Sequence, residues 1–230
     1  AKRLGSKIKY NHAVKSVITT SGGIEVNLSG HGNNHTIKGA KIVFAIPTTI
    51  LKNIKINPGF SKEKSKCIQN QSYGHVMKIA MQFQERFWDN SNSIGQRIFT
   101  DTPLRRVYHF SIDQPGPRGI LLSFTSGSDA RKLGALSEKN RMKISKESCK
   151  NIWNNSTNFW ENGISKYWNE DRWVKASYSL KGIGQKGHRE ILAKAENPFY
   201  FAGEHTAINY ASMNGAIESG IRACNEIKMT

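Results

Sequence analysis

The last forty residues constrain the fold more than any other stretch. Pro198-Phe199-Tyr200-Phe201-Ala202-Gly203-Glu204 reads as a short apolar strand closed by a glycine, and Ser212 to Ala223 reads as a helix. The small residues Gly215, Ala216, Ser219 and Gly220 on that helix admit close backbone approach. A strand that runs through a loop into a helix start commits the chain to a mixed α/β fold. It also offers first-turn amides, at the positive end of the helix dipole, to an anion or a ring carbonyl. Taken alone, such a small-residue face serves plain packing more often than a cofactor.

The rest of the chain reads as strands and helices around this feature. Val14–Thr19 and Ile24–Leu28, joined by Ser21-Gly22-Gly23, form a hairpin pattern, with a polar loop expected over Gly30–Asn34. Ile42–Pro47 reads as a buried strand, Ser61–Asn70 as a capped basic helix, and Gly74–Phe83 as a strand with Lys78 among apolar neighbours. Strands are expected again at Arg106–Phe110 and Ile120–Phe124, and a helical region from Asp129 to Phe159.

With 37% hydrophobic residues in 230, the chain can bury a core, and it holds no apolar run near the roughly 18 residues a membrane span needs. Lys and Arg exceed Asp and Glu by 34 to 17, giving a formal charge of +17. The basic clusters (Lys62, Lys64, Lys66; Arg105, Arg106; Lys139, Arg141, Lys143, Lys146) are short and scattered, and read as solvated surface. No nucleic-acid partner is therefore expected; a binder of nucleic acid or anionic surfaces is the reading supported by charge alone. Cys67, Cys149 and Cys224 are too far apart for a CxxC pair or a zinc cluster, so a reducing, cytoplasmic setting is expected. His31 and His35 have metal-ligand spacing for a helix, but the intervening Gly32-Asn33-Asn34 favours a loop, and no metal site is expected.

The string Tyr200-Phe201-Ala202-Gly203-Glu204-His205-Thr206, with Met213-Asn214-Gly215-Ala216-Ile217-Glu218-Ser219-Gly220, closely resembles the C-terminal signature of the flavin-containing amine oxidases, the monoamine, polyamine and L-amino-acid oxidases. Ile42–Pro47 resembles the strand by which that family returns from its FAD domain, and Ser72–Lys78 with Phe87-Trp88 its lysine segment. Thr100-Asp101-Thr102-Pro103 and Arg106-Val107-Tyr108 are similar to the L-amino-acid oxidase branch. The family's opening βαβ unit with its GxGxxG turn has no counterpart here. Gly182-Ile183-Gly184-Gln185-Lys186-Gly187 fits that spacing by letter, yet lies in a polar loop and opens no βαβ unit.

The resemblance implies a partial FAD-binding domain from residues 1–50 and 190–230, with an inserted mixed-sheet, substrate-binding domain at 51–189. It implies that FAD is held at Val14, Trp168, Gly203, Glu204 and Met213, and non-covalently, since Ser177 stands where monoamine oxidases carry the flavin-bonding cysteine. Lys78 matches the lysine that holds a water near flavin N5, and Tyr178 one aromatic wall of the amine cage. Ser212 falls at the second wall, for which Tyr210 is a substitute; Tyr108 and His109 lie where the amino-acid branch meets the substrate carboxylate. Glu204 has a second reading as a structural, capping acid. The implied activity is oxidation of an amine or amino acid with O2 as electron acceptor, incomplete without a separate N-terminal FAD-binding half. The alternative is a non-catalytic remnant or partner-binding subunit of a split oxidase. In either case the fragment is expected to leave an apolar face uncovered.

Overall fold

The computed structural model describes residues 2–30, 33–90 and 97–230. The chain forms two compact units, residues 1–73 with 178–230 and residues 74–177.

The first unit begins with the antiparallel strands β1 (Ala13–Thr20), β2 (Gly23–Gly30) and β3 (Asn33–Gly39). The polar loop expected over 30–34 is thus cut short: Asn33 already pairs with Gly30, and His35 lies opposite Leu28 in β3. Asn and Gly flank many turns, but here the cross-strand ladder outweighs their weak strand propensity. His31 lies outside the described residues, and no cluster of three metal-ligating side chains occurs among those described. Strand β4 is shorter than expected, Ile42–Phe44, and Val43 is 39% exposed, so only one face of it is covered.

After α1 (Thr48–Leu51), β5 (Lys55–Asn57) adds to β1 in parallel, giving the order β3-β2-β1-β5. Helix α2 (Lys62–Asn70) is capped by Ser61, whose Oγ accepts from Lys64 N at 3.2 Å. Glu196 in turn accepts from Ser61 N (2.9 Å) and Ser61 Oγ (2.6 Å).

The second unit is built on a five-stranded antiparallel sheet. Its strands are β6 (Val76–Phe83), β7 (Arg97–Phe99), β8 (Arg106–His109), β9 (Gly119–Ser126) and β10 (Trp160–Tyr167), in the order β10-β6-β9-β8-β7. Period-two alternation assigns the faces. Met77, Ile79, Met81 and Phe83 of β6, with Val107 and Leu121, enter one core together with Leu104, Trp153 and Cys149. That face is covered by α3 (Gly127–Gly134) and α4 (Glu138–Ile152). The helical region therefore breaks at Ala135–Ser137, where Ser137 caps the second helix.

The chain then returns to the first unit through α5 (His188–Ala193), β11 (Phe199–Phe201) and α6 (Met213–Lys228). Strand β11 pairs in parallel with β4. Phe44, Phe60, Phe199 and Phe201 form an aromatic cluster with centroids 5.4–5.9 Å apart, joined in the core by Val17, Ile24, Leu51 and Leu192. Residues 51–73 and 178–189, expected in the inserted segment, pack in this unit: β5 extends β1, and α2 lies against α5.

Two cations expected on solvated surface are buried. Lys64 is 1% exposed; its Nζ donates to the carbonyls of Ile191 (2.6 Å), Leu192 (3.2 Å) and Lys194 (2.6 Å) at the C-terminal end of α5, and sits 3.8 Å from the Phe201 ring centroid. Burial draws its pKa down to about 8, against the opposing pull of Glu196. Arg141 likewise donates to Leu133 O (3.0 Å) and Gly134 O (2.6 Å) at the end of α3, and pairs with Glu170 at 2.8 Å. Helix ends expose carbonyls that need donors, and a long cationic side chain reaches them from a neighbouring element.

Candidate functional site

In the first unit the turn from β11 into α6 is closed by side chains whose only role visible locally is to hold backbone. Gly203 has φ 126°, a conformation that strains any residue bearing a Cβ, and a Cβ there would strike the His205 ring. Its N–H donates to Ser219 Oγ at 2.8 Å, and Ser219 Oγ donates onward to Ala216 O at 2.7 Å. Arg222 fastens the same turn, donating to Phe201 O (2.8 Å), Thr206 Oγ1 (3.0 Å) and Ala193 O (3.0 Å). The small residues of α6 thus have distinct tasks. Gly215 is forced by the approach of the Asn209 carbonyl, which a Cβ would meet head-on.

Ser212 is the N-cap of α6. Its Oγ accepts from Gly215 N (3.0 Å) and donates to Asn209 O (2.6 Å). Because the intrahelical ladder starts at Ala216 N, which donates to Ser212 O, the amides of Met213 and Asn214 point out of the helix start. The Met213 side chain is 85% exposed, followed one and two turns on by Ile217 (64%) and Ile221 (59%).

Glu204 is engaged by protein donors. Its carboxylate accepts from Ser179 N (3.0 Å), Ser179 Oγ (2.6 Å) and Ala211 N (2.7 Å), tying two loops together. Ser179 also forms a bridge with Tyr73, and Tyr178, just before it, is 37% exposed. A recess of about 280 Å³ is lined by Ser179, Leu180, His188, His205, Ile208 and Tyr210. His205 is buried there, and desolvation lowers its pKa to about 4, so it is a neutral ring at physiological pH. Gly182–Gly187 lies in the loop before α5, with Gln185 Oε1 accepting from Gly182 N at 2.9 Å. On β1, Val14 stands beside a break in register, and β5 pairs only with Ser16–Ile18, so the strand edge at Ala13–Lys15 has no ladder partner on that side among the described residues.

The second unit leaves one face of its sheet uncovered by its own helices. Lys78, Ala80, Ile120, Leu122, Phe124, Arg106 and Tyr108 alternate with the core residues and are half-buried. Lys78 Nζ sits 5.6 Å from the Phe124 ring centroid, and the Arg106 guanidinium 4.4 Å from it. Tyr108 shares this face with Lys78. His109 turns to the other face, where its ring meets Trp88 at 5.4 Å and its Nδ1 lies 3.6 Å from Asp89. Trp168 follows β10 in a short turn, 5.3 Å from Lys166 Nζ.

Of the residues singled out in the sequence, the first unit thus gathers Gly203, Glu204, Tyr178, Tyr210 and Met213 around one turn, with Val14 apart on β1. The second gathers Lys78 and Tyr108 on one sheet face. Arg106 was not singled out, although its spacing of two from Tyr108 on a strand puts both on one face. The features present fit a flavin dinucleotide in part: a glycine cradle, two outward amides at a helix start and an open strand edge suit its ring and backbone contacts. Glu204, by contrast, is already committed to Ser179 and Ala211.

The fold is shared with putrescine oxidase. The solved structure of that enzyme with putrescine superposes with a TM-score of 0.87 at 20% identity, covering 100% of this chain and 51% of that one. In sequence the chain is 27% identical over 242 residues to the flavin-dependent L-tryptophan oxidase RebO of Lentzea aerocolonigenes, covering 98% of this chain and 49% of that protein. It is 26% identical over 231 residues to polyamine oxidase 3 of Oryza sativa subsp. japonica, covering 98% and 46%. The chain therefore spans about half the length of these relatives. Residues 1–228 match the family model of the flavin containing amine oxidoreductases, and the chain belongs to that family.

Proposed function

We propose that this chain is the portion of an FAD-dependent amine or L-amino-acid oxidase that faces the flavin ring and the substrate. The observation that carries the reading is the family match over residues 1–228 together with the β11–Gly203–α6 turn, whose outward amides at Met213 and Asn214 suit developing negative charge on a flavin ring. FAD, when bound, would supply the redox chemistry of the family's reaction, acceptance of a hydride from an amine carbon and return of the electrons to O2 as peroxide.

In this reading the chain's residues bind and orient. The Val14 backbone at the open edge of β1 would hold the adenine, and Gly203 would let the dinucleotide approach the turn. Glu204 rigidifies the cradle through Ser179 and Ala211. In the first unit Tyr178 and Tyr210 would wall the amine; in the second, Trp168 would contact the flavin ring and Lys78 would hold a water for proton transfer during reoxidation. Ser177 offers no thiol, so the flavin is held without a covalent bond. The exposed stripe Met213, Ile217 and Ile221 on α6 supports a further FAD-binding portion, carrying the GxGxxG unit, as the partner. The coverage of half the relatives' length also favours, as a second reading, a partner-binding subunit without activity of its own.

The test is to titrate FAD into the chain alone and together with a GxGxxG-bearing half from a relative, following flavin fluorescence, then to assay peroxide with amines and amino acids. The reading expects tight binding and peroxide only with both halves present. It also expects Lys78→Met to slow the oxygen-linked step while FAD stays bound. Micromolar FAD binding with turnover by the lone chain would overturn the division of roles, and a complemented pair that binds FAD without oxidising any amine would favour the second reading.

A further inference from the structure

The basic run on α4 divides into two sets. Arg141 leaves it, turning inward to Gly134 O and Glu170. Lys139, Lys143, Lys146 and Lys150 remain, all exposed, at spacings of four, three and four residues. At 3.6 residues per turn and 1.5 Å per residue, these spacings keep the four positions within about 60° around the helix axis and spread them over about 16 Å along it. The row runs down the middle of the outward face. Arg141, Ser145, Ser148 and Cys149 are buried on the opposite side, and Met142, Ile144 and Ile152 pack against the core of the second unit.

No carboxylate among the described residues pairs with any of the four ammonium groups. Of the two acids on the helix, Glu138 accepts from Ser165 N at 2.6 Å and lies 3.7 Å from Arg141, while Glu147 stands with Asn140 and Asn151 on one flank of the row. Lys146 Nζ lies 6.0 Å from the Trp160 ring centroid, a contact that leaves its charge uncompensated. Four unpaired like charges on one ridge repel one another, and an extended polyanion laid along them relieves that repulsion.

We propose that the outward face of α4 is a docking surface for the phosphate backbone of a nucleic acid duplex, bound without regard to sequence. The scatter of basic residues in the letters argues against such a partner; the helix gathers four of them into a line. Charge density selects this occupant: a duplex carries one negative charge per about 1.7 Å of its axis, so the row meets several phosphates, and release of their counterions drives association. A lipid surface suits a helix with apolar side chains to insert between headgroups, and those of α4 are already packed on the sheet. An acidic protein helix presents a matching carboxylate only about once per turn. The outward face carries neither Arg nor an aromatic side chain, so its contacts are to phosphates and not to base edges. The surface is independent of the oxidase reading, because it involves neither flavin nor amine.

The experiment follows a fluorescein-labelled, mixed-sequence DNA duplex of about 20 base pairs by anisotropy as the full chain is added across a salt series. Four lysine–phosphate contacts imply that log K falls against log salt with a slope of about −3.6, a loss of roughly 150-fold between about 50 and 200 mM salt. Lys143→Gln should flatten the slope by about 0.9, and Lys139→Gln, Lys143→Gln, Lys146→Gln and Lys150→Gln combined should remove most of it. The matched control, Lys9→Gln, Lys52→Gln, Lys55→Gln and Lys66→Gln combined, changes exposed lysines of the first unit and should alter the slope by less than about 1. Should the fourfold α4 variant fail to fold, the single Lys143→Gln decides. A slope shallower than about −2, equal losses in the two fourfold variants, or an unchanged slope in Lys143→Gln would each overturn the proposal. Tighter binding at the same salt to phosphatidylserine vesicles or to a poly-glutamate peptide would overturn it in favour of a lipid or protein partner.

Discussion

The buried and half-buried cations that cap carbonyls and the cations of the open sheet face solve opposite problems. Lys64, Arg141 and Arg222 reach carbonyls of α5, α3 and the β11 turn and saturate them, and two of the three also meet a carboxylate, Glu170 or Glu226. Lys78, Arg106 and Arg97 lie against the rings of Phe124 and Tyr108, with no carboxylate among the described residues in ion-pair range. A formal charge of +17 therefore does not describe one kind of surface. Part of it is internal scaffold, and part lies over aromatic rings on an open sheet face.

The sharpest way to break this contrast is Lys64→Met. It keeps the aliphatic stem and leaves three carbonyls without a donor, so urea unfolding should show a loss of about 3 kcal/mol; a change under about 0.5 kcal/mol would return Lys64 to the class of ordinary surface lysines. Acid provides the next test. The folded pKa of His205 is depressed to about 4 from 6.5, so the unfolded chain binds the extra proton across that window. The stability this neutral ring protects is intact above pH 6.5 and is lost as pH falls toward 4, on the order of 3 kcal/mol. His205→Gln should flatten that part of the stability–pH curve.

Glu204→Ala, which frees Ser179 and Ala211 together, should cost about 2 kcal/mol. Lower affinity for FAD in the complemented protein with unchanged unfolding would show instead that the carboxylate works on the cofactor. The smallest effect is expected on the other side of the comparison. Arg106→Gln and Lys78→Met satisfy no internal acceptor and should alter unfolding by less than about 0.5 kcal/mol.

What could be read from the letters follows the same division. The hairpin, the alternation of Gly74–Phe83 and the strand–glycine–helix end were legible because each rests on local periodicity and turn chemistry. Lys64 and Arg141 were not, because their burial depends on carbonyls at residues 191–194 and 133–134, contributed by helices other than their own, and nothing beside either residue marks it as internal. Strand β3 was missed for a similar reason, since β2 supplies the ladder that Asn33 and Asn34 would not form alone. At the site, Gly203 and Met213 announce themselves by motif. The capping by Ser212 and the engagement of Glu204 by Ser179 become visible only when loops distant in sequence meet.

The parallel pairing of β4 with β11 also sets an order of events during synthesis. Ile42 meets Phe199, and Phe44 meets Phe201, only after the whole of residues 74–177 has been made. The intervening segment, with antiparallel neighbours close in sequence and its own core, can fold as it emerges, while the first unit waits with Phe44, Phe60 and the edge of β4 unpartnered. The apolar edge of β4 therefore stays uncovered until residues 199–201 are available to pair with it.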